Sequence, residues 1–194
     1  IAWHKGFLCI AYQDHLQIID SLGVEVVRKT LPDTAGCIAV SPSGEVYIGY
    51  RNYIEIFDLE GNAQQKWDTL SGNPFLTAIA FKNDAVFVAD AGNRRVYRYT
   101  HSGNILNFIE GKGRIEGTYG FVIPSPYFDL VVDPDDELWV VNPGIHHVEN
   151  YTDEGALRAF WGDASFDIDG FTGCCNPVHI AVLQDGKFIT SEKG

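Results

Sequence analysis

Short runs of apolar residues recur along the chain, and each run lies between turns that contain glycine, asparagine or aspartate. The runs are rich in β-branched and aromatic side chains, which favour strands. No long segment has apolar residues at the i, i+3, i+4, i+7 spacing of an amphipathic helix. The pattern therefore predicts an all-β chain.

The apolar runs form a repeat. The triplets IAW, IAV, IAF, LVV and IAV begin at residues 1, 38, 79, 130 and 180, with intervals of 37, 41, 51 and 50 residues. A turn and a second run follow each triplet, and a third and a fourth run complete the first four units. Units of about 40 to 50 residues with four antiparallel strands are typical of β-propeller blades, because such a sheet must stack on its neighbours to bury its faces.

We therefore expect one incomplete β-propeller domain over residues 1–194. The expected repeats are approximately 1–37, 38–78, 79–129, 130–179 and a partial repeat at 180–194. The chain would thus contain about four and a half blades, each built from four antiparallel strands in the complete repeats.

The third repeat carries a motif as well as a pattern. Its sequence DAVFVADAGNRRVYRYTHSGNIL, residues 84–106, resembles the NHL repeat, in which Val-Ala-Asp, a Gly/Asn turn, Arg-Val and a turn ending in glycine follow one another. The fourth repeat keeps the frame but has Asn142 for the aspartate and His147 for the arginine. The stretch GFTGCCNPVHIAVLQDGKFITSEKG, residues 170–194, also resembles segments of exported bacterial NHL-repeat proteins of uncharacterised function. The resemblance implies a six-bladed ring and a periplasmic or extracellular location.

Composition and charge narrow the range of partners. The formal net charge is −12, and the 14 Lys and Arg residues do not form one basic block, so a nucleic acid is not an expected partner. No apolar run reaches the length of about twenty residues that a membrane-spanning helix needs, and we expect a soluble protein. Methionine is absent even at position 1, so we expect the native N-terminus and any targeting segment to lie outside this chain.

The predicted blade geometry gathers distant residues on one side of the disc, which we call the loop face. The connections between blades and the turns between second and third strands open on this face, and the long connections 110–128 and 162–178 contribute most to it. Loops on a rigid scaffold often carry function, although these could also merely cover the blade edges. The candidate ligand-binding residues on this face are Arg94, Arg95, His146, His147, Cys174, Cys175 and Asn176.

Asp129 and His179 precede the inner strands of neighbouring blades, close to the mouth of the central channel. A carboxylate and an imidazole suit a divalent metal such as Ca²⁺ or Zn²⁺, or a general acid and base pair. The alternative is that a channel lining is polar simply because it holds water.

Cys174 and Cys175 are adjacent, and three interpretations stay open. A disulfide between them would be strained, because neighbouring Cα atoms are about 3.8 Å apart and the usual span is about 4.4 to 6.8 Å. The two thiolates with His146 or His147 would offer a soft site for zinc or copper. They could instead be compact side chains that pack at a turn.

Other conspicuous residues have structural interpretations. Arg95 is expected to bond backbone carbonyls or acids of the neighbouring blade. Cys9 and Cys37 lie among apolar strand residues and are expected in the core. The tryptophans expected to pack between blades are Trp67, Trp139 and Trp161.

No nucleophile and base motif such as GxSxG or HExxH is present. The favoured interpretation is therefore a non-enzymatic scaffold that binds a protein, peptide or glycan through its loop face. One alternative is a metal-dependent hydrolase or lyase at the channel mouth, as in propeller lactonases and the amidating lyase with NHL-like repeats. The other is a redox accessory protein that uses Cys174 and Cys175. The oligomeric state stays open.

Overall fold

The computed structural model of the protein describes residues 1–112, 120–168 and 170–193. Part of the predicted connection 110–128 and single positions in 162–178 and 180–194 therefore lie outside the described residues. Within the described ranges the chain forms four antiparallel sheets of four strands and one of two strands. The prediction of an all-β chain with four-stranded blades is confirmed.

The strands follow one another in chain order within each blade. The first blade contains β1 (Ala2–His4), β2 (Phe7–Tyr12), β3 (His15–Ile19) and β4 (Glu25–Thr30). The second contains β5 (Cys37–Val40), β6 (Val46–Gly49), β7 (Ile54–Phe57) and β8 (Ala63–Lys66). The third contains β9 (Leu76–Lys82), β10 (Ala85–Asp90), β11 (Arg95–Tyr99) and β12 (Ile105–Ile109). The fourth contains β13 (Leu130–Val132), β14 (Leu138–Asn142), β15 (His147–Tyr151) and β16 (Leu157–Trp161). The fifth sheet pairs β17 (His179–Val182) with β18 (Phe188–Ser191).

The turn between the third and fourth strands has the same construction in all four complete blades. The first residue of the turn accepts a hydrogen bond through its side-chain oxygen from the backbone N–H four positions later, and these residues are Asp20, Asp58, Thr100 and Thr152. The glycine three positions after each has a positive φ, for example +80° at Gly61 and +86° at Gly103. A side-chain acceptor followed by glycine thus ends each third strand and reverses the chain.

The hydrophobic core lies between adjacent blades rather than within one sheet. The inner strands β1, β5, β9, β13 and β17 contact one another in that order. Four clusters of buried apolar side chains fill the four spaces between neighbouring blades. Trp67 packs between the second and third blades, and Trp139 and Trp161 pack against Phe188 of the fifth sheet. Each blade therefore depends on its neighbours for burial of its faces.

Helical structure in the described residues is limited to the short 3₁₀ turn Pro143–Ile145 between β14 and β15. No helix long and apolar enough to cross a membrane occurs in the described part of the chain.

Candidate functional site

The loop face is built by hydrogen bonds between the connections and the turns that follow the second strands. Each bond joins a nitrogen of a turn residue to the backbone carbonyl oxygen of a residue in a connection. The bonds join the N–H of Ala91 to Phe75 O at 2.9 Å, the N–H of Gly144 to Val122 O at 2.9 Å, and His146 Nε2 to Gly173 O at 2.6 Å. These contacts hold segments distant in sequence against one another on one side of the disc.

In the third blade and again in the fourth, the last residue of the second strand holds the connection that leads into that blade. Asp90 is fully buried, and its carboxylate accepts hydrogen bonds from the N–H of Phe75 at 2.8 Å and of Asn93 at 3.1 Å. At the same position of the next blade, the buried Asn142 accepts a hydrogen bond from the N–H of Val122 at 2.8 Å. The aspartate of the Val-Ala-Asp motif is therefore an anchor for the connection.

A cavity of about 270 Å³ opens at the loop-face mouth of the central channel. Its wall is formed mainly by the first residues of the inner strands and the residues just before them. Those with polar side chains or a thiol are Cys37, Thr77, Asp129 and His179.

Asp129 and His179 lie together at this wall. The N–H at His179 Nδ1 donates to Asp129 Oδ2 at 3.2 Å. The same carboxylate accepts hydrogen bonds from the backbone N–H of Leu130 at 2.9 Å and of Ile180 at 3.1 Å. Asp129 thus joins the starts of β13 and β17 and also orients the imidazole.

The hydrogen bond to the Asp129 carboxylate raises the pKa of His179 above its ordinary value. The side chain of His179 remains 63% exposed, while that of Asp129 is 19% exposed. The pair therefore presents an imidazole of fixed orientation to the cavity, and Nε2 is the ring nitrogen that can bond a ligand there.

Asp129 and His179 would be two of the ligands of the predicted metal ion. Both carboxylate oxygens of Asp129 accept backbone N–H bonds. Among the described residues, no group of three or more His, Cys, Asp or Glu side chains is arranged to hold a metal ion. The predicted Ca²⁺ or Zn²⁺ site at Asp129 and His179 thus finds no third ligand of these types within the described ranges.

Cys9 and Cys37 occupy different environments. Cys9 is fully buried, and this burial raises the pKa of its thiol to about 11. Cys37 is only partly exposed and packs against the core between the second and third blades, but it also lines the cavity. Loss of hydration raises the pKa of the Cys37 thiol to about 12. Cys37 therefore stays a neutral thiol in the cavity wall at physiological pH.

His146 and His147 point into different surroundings. His146, with a φ of +60°, bonds Gly173 O next to the cysteine pair. The ring of His147 stacks on Phe160, with ring centroids 4.5 Å apart, and its Nδ1 lies 3.3 Å from Glu149 Oε1. The structure therefore brings His146, but not the His147 ring, to the connection that carries the cysteines.

A buried polar cluster surrounds Glu149 and was not predicted from the sequence. Glu149 is fully buried and accepts hydrogen bonds from the hydroxyl of Tyr151 at 2.9 Å and from Asn142 Nδ2 at 3.3 Å. The repeat alignment contains the signal, because Glu149 occupies the position of Tyr97 in the preceding blade. A carboxylate in place of a core aromatic residue indicates a polar network inside the fourth blade.

Arg94 and Arg95 lie in different surroundings, as His146 and His147 do. Arg94 is exposed and has a φ of +54°. Arg95 pairs with Glu110 Oε1 at 3.0 Å, and its guanidinium lies 4.3 Å from the centroid of the Phe108 ring. Since Glu110 directly follows β12, this acid belongs to the same blade. Within the described residues, the acid that pairs with Arg95 therefore comes from its own blade rather than from the neighbouring one.

Cys174 and Cys175 are both free thiols, and their Sγ atoms are 3.0 Å apart. Cys174 is exposed and Cys175 is buried. The hydrogen bond and charge interaction with Cys175 raise the pKa of the Cys174 thiol. The following Asn176 is buried, and its Oδ1 accepts a hydrogen bond from the N–H of Lys193 at 2.7 Å. Asn176 therefore fastens the connection to the end of the fifth sheet.

No protein-family model and no curated protein matches the chain. Several solved structures share its fold. A streptogramin B lyase superposes with a TM-score of 0.72 at 15% identity, over 99% of this chain and 61% of that one. The chain is a β-propeller. A catalytically inactive virginiamycin B lyase from Staphylococcus aureus, solved with quinupristin, gives a TM-score of 0.67 at 20% identity, over 93% of this propeller and 57% of that chain.

A protein of unknown function from Bacteroides caccae also shares the fold, with a TM-score of 0.66 at 14% identity, over 95% of this propeller and 64% of that chain. The propeller thus spans about three fifths of the length of these structures. At these identities the likeness shows the fold alone, and membership of the NHL-repeat family stays a prediction.

Replacing Asp129 by asparagine should lower the pKa of His179, because the variant loses the carboxylate that stabilises the imidazolium. In the native protein the raised pKa means that this pair stabilises the fold fully below about pH 6.5, and that the contribution is lost as the pH rises through the folded-state pKa of His179. NMR titration of the imidazole resonances, assigned with His179→Gln, measures the shift.

Asp135→Asn is the matched control for this titration, since it removes the same charge from an exposed turn on the opposite face. It should leave the pKa of His179 unchanged. An equal decrease in both variants would mean that net charge, rather than the bond to Asp129, sets this pKa.

Proposed function

We propose that this propeller is a binding module that takes a peptide or glycan on its loop face, with His179 as the polar anchor in the central cavity. One observation carries the proposal: Asp129 fixes Nδ1 of an imidazole that stays 63% exposed at the cavity wall. An oriented imidazole on a rigid scaffold can bond a ligand without first being immobilised, which lowers the entropic cost of binding.

Apolar surface in the connections of the loop face supports a ligand larger than a single small molecule. A recess of about 200 Å³ lies between the third and fourth blades and is lined by Phe75, Ile123, Pro124 and Pro126. In the connection before the cysteine pair, Phe166 and Ile168 are almost completely exposed. Exposed apolar groups of this kind are typical of surfaces that bind proteins or peptides.

Binding to a displayed peptide library and to a glycan array tests this proposal. His179→Ala should weaken binding of any selected ligand by about 10-fold to 100-fold, the range expected when a charged hydrogen bond worth about 1.5 to 3 kcal/mol is lost. His101→Ala is the matched control, because His101 is exposed in the β11–β12 turn on the opposite face. Absence of any ligand, or equal weakening by both variants, would contradict the proposal.

A second candidate function is a lyase in which His179, oriented by Asp129, removes a proton from a substrate in the cavity. The observation in its favour is the carboxylate and imidazole pair at the mouth of a propeller whose fold is shared with two streptogramin-type lyases. Incubation with quinupristin, followed by mass spectrometry, tests it. Under this candidate the native chain converts the compound and His179→Ala does not, whereas intact quinupristin with both proteins would count against it.

A further inference from the structure

The adjacent thiols of Cys174 and Cys175 are already in contact without being bonded. Their Sγ atoms are 3.0 Å apart, and both cysteines are free. Formation of a disulfide, with an S–S bond of about 2.05 Å, would shorten this separation by about 1 Å. The pair is therefore arranged for chemistry between its two members.

Hydrogen bonds on both sides keep this pair in place. On one side, His146 Nε2 bonds Gly173 O at 2.6 Å. On the other side, the buried Asn176 bonds the backbone of Lys193. The connection is thus fastened to the fourth blade on one side of the pair and to the fifth sheet on the other, which holds the two thiols against each other.

Glu192 adds a second attachment just before the pair. Its carboxylate accepts hydrogen bonds from the backbone N–H of Thr172 at 2.7 Å and from the Thr172 hydroxyl at 2.6 Å. These bonds lower the pKa of Glu192, which therefore stays ionised at neutral pH. Glu192 occupies the position that Asp90 and Asn142 hold in earlier blades, where they also anchor a connection.

The two sulfurs differ in access to solvent. Cys174 is exposed, so a reagent from solution can reach its Sγ. Cys175 is buried directly beneath it, where its Sγ can reach Cys174 but is shielded from large reagents. This asymmetry assigns the first attack to Cys174 and the second to Cys175.

We propose that Cys174 and Cys175 form a reversible dithiol and disulfide site that exchanges with small disulfides in solution. The Cys174 thiolate attacks one sulfur of the small disulfide, whose S–S bond breaks as one small thiolate leaves. The Cys175 thiolate then attacks Cys174 Sγ and expels the second small thiolate. The pair loses two electrons, the small disulfide is reduced to two thiols, and the two cysteine protons pass to the leaving thiolates.

The adjacency of the two residues makes this bond labile rather than structural. Neighbouring Cα atoms are about 3.8 Å apart, below the usual disulfide span of about 4.4 to 6.8 Å, so the closed ring is strained and easily reduced. A strained, accessible disulfide is the kind that cycles in response to the surrounding thiol pool. The site thus adds redox chemistry to the loop face independently of any ligand in the cavity.

Equilibration of the purified protein with glutathione tests the proposal. The protein is held in defined ratios of reduced to oxidised glutathione, quenched with acid, denatured and alkylated with iodoacetamide, and its intact mass is measured. The chain has four cysteines, so the reduced protein should gain four alkyl groups and the oxidised protein two. The two cysteines that are not alkylated in the oxidised protein should map to one peptide that contains both Cys174 and Cys175. Excess reduced glutathione should restore four alkyl groups.

Single variants separate this site from other thiol chemistry. Cys174→Ser changes an exposed residue and should keep three alkyl groups at every glutathione ratio. Cys175→Ser should retain a glutathione adduct on Cys174, because the second thiol is missing. The proposal is overturned if the native protein keeps four alkyl groups at all ratios, if the two cysteines that are not alkylated map elsewhere, or if the native reaction stops at the adduct.

Discussion

Replacing Asp90 by alanine should lower the free energy of unfolding by about 3 to 4 kcal/mol. The fully buried carboxylate accepts hydrogen bonds from the N–H of Phe75 and Asn93 and from Asn93 Nδ2 at 2.7 Å. Alanine would leave these partly buried donors without the carboxylate, and a buried donor without an acceptor costs about 1 to 3 kcal/mol. Urea denaturation followed by tryptophan fluorescence measures the loss.

Asp90→Asn is the matched variant and should lose only about 1 kcal/mol, because an amide oxygen can still accept a backbone N–H. The fourth blade supports this expectation, since Asn142 accepts a hydrogen bond from Val122 at the same position. If the alanine and asparagine variants lost the same stability, the charge of Asp90 rather than its acceptor atoms would be what the third blade requires.

Gly92→Ala should lower the free energy of unfolding by at least about 3 kcal/mol through overpacking. A Cβ at this position would lie 1.9 Å from the carbonyl oxygen of Asn73 and 3.0 Å from the nitrogen of Phe75. Both atoms belong to the backbone, so they can move only if the connection separates from the turn after β10. Urea denaturation measures the effect. Hydrogen-exchange protection of the Ala91 and Leu76 amides reports whether the connection detaches from the turn.

Gly23→Ala separates steric overlap from backbone strain. Gly23 has a φ of +79° with no atom within 4 Å of an added Cβ, so alanine there should cost about 1 kcal/mol through strain alone. A loss at Gly92 no greater than at Gly23 would show that the connection and the turn are not packed as closely as described.

The strands were predictable because their signals are local. The run AVFVAD coincides with β10 (Ala85–Asp90), since alternation and the following Gly/Asn turn act within a few residues. The start of β9 was not predictable from its triplet at residue 79, because the strand begins at Leu76, which pairs with Asp90 across a register irregularity. That pairing depends on the connection folding back onto the neighbouring strand.

The candidate site was predictable as a location but not as a set of contacts. Blade geometry was sufficient to place Asp129 beside His179, because both precede neighbouring inner strands. The partners of His146 and Arg95 were not predictable, since they depend on how a connection or an outer strand approaches the turn. The burial of Glu149 depends in the same way on tertiary packing, which no local pattern encodes.

The repeated turns between third and fourth strands have a consequence for how the chain folds. Each turn is held by a side chain and an amide only four residues apart, so the outer hairpin of a blade can close before that blade meets its neighbours. Stacking of inner strands requires contacts between residues about 40 or more positions apart and must follow at greater entropic cost. Outer hairpins should therefore nucleate independently along the chain, and assembly should proceed by docking of preformed neighbours.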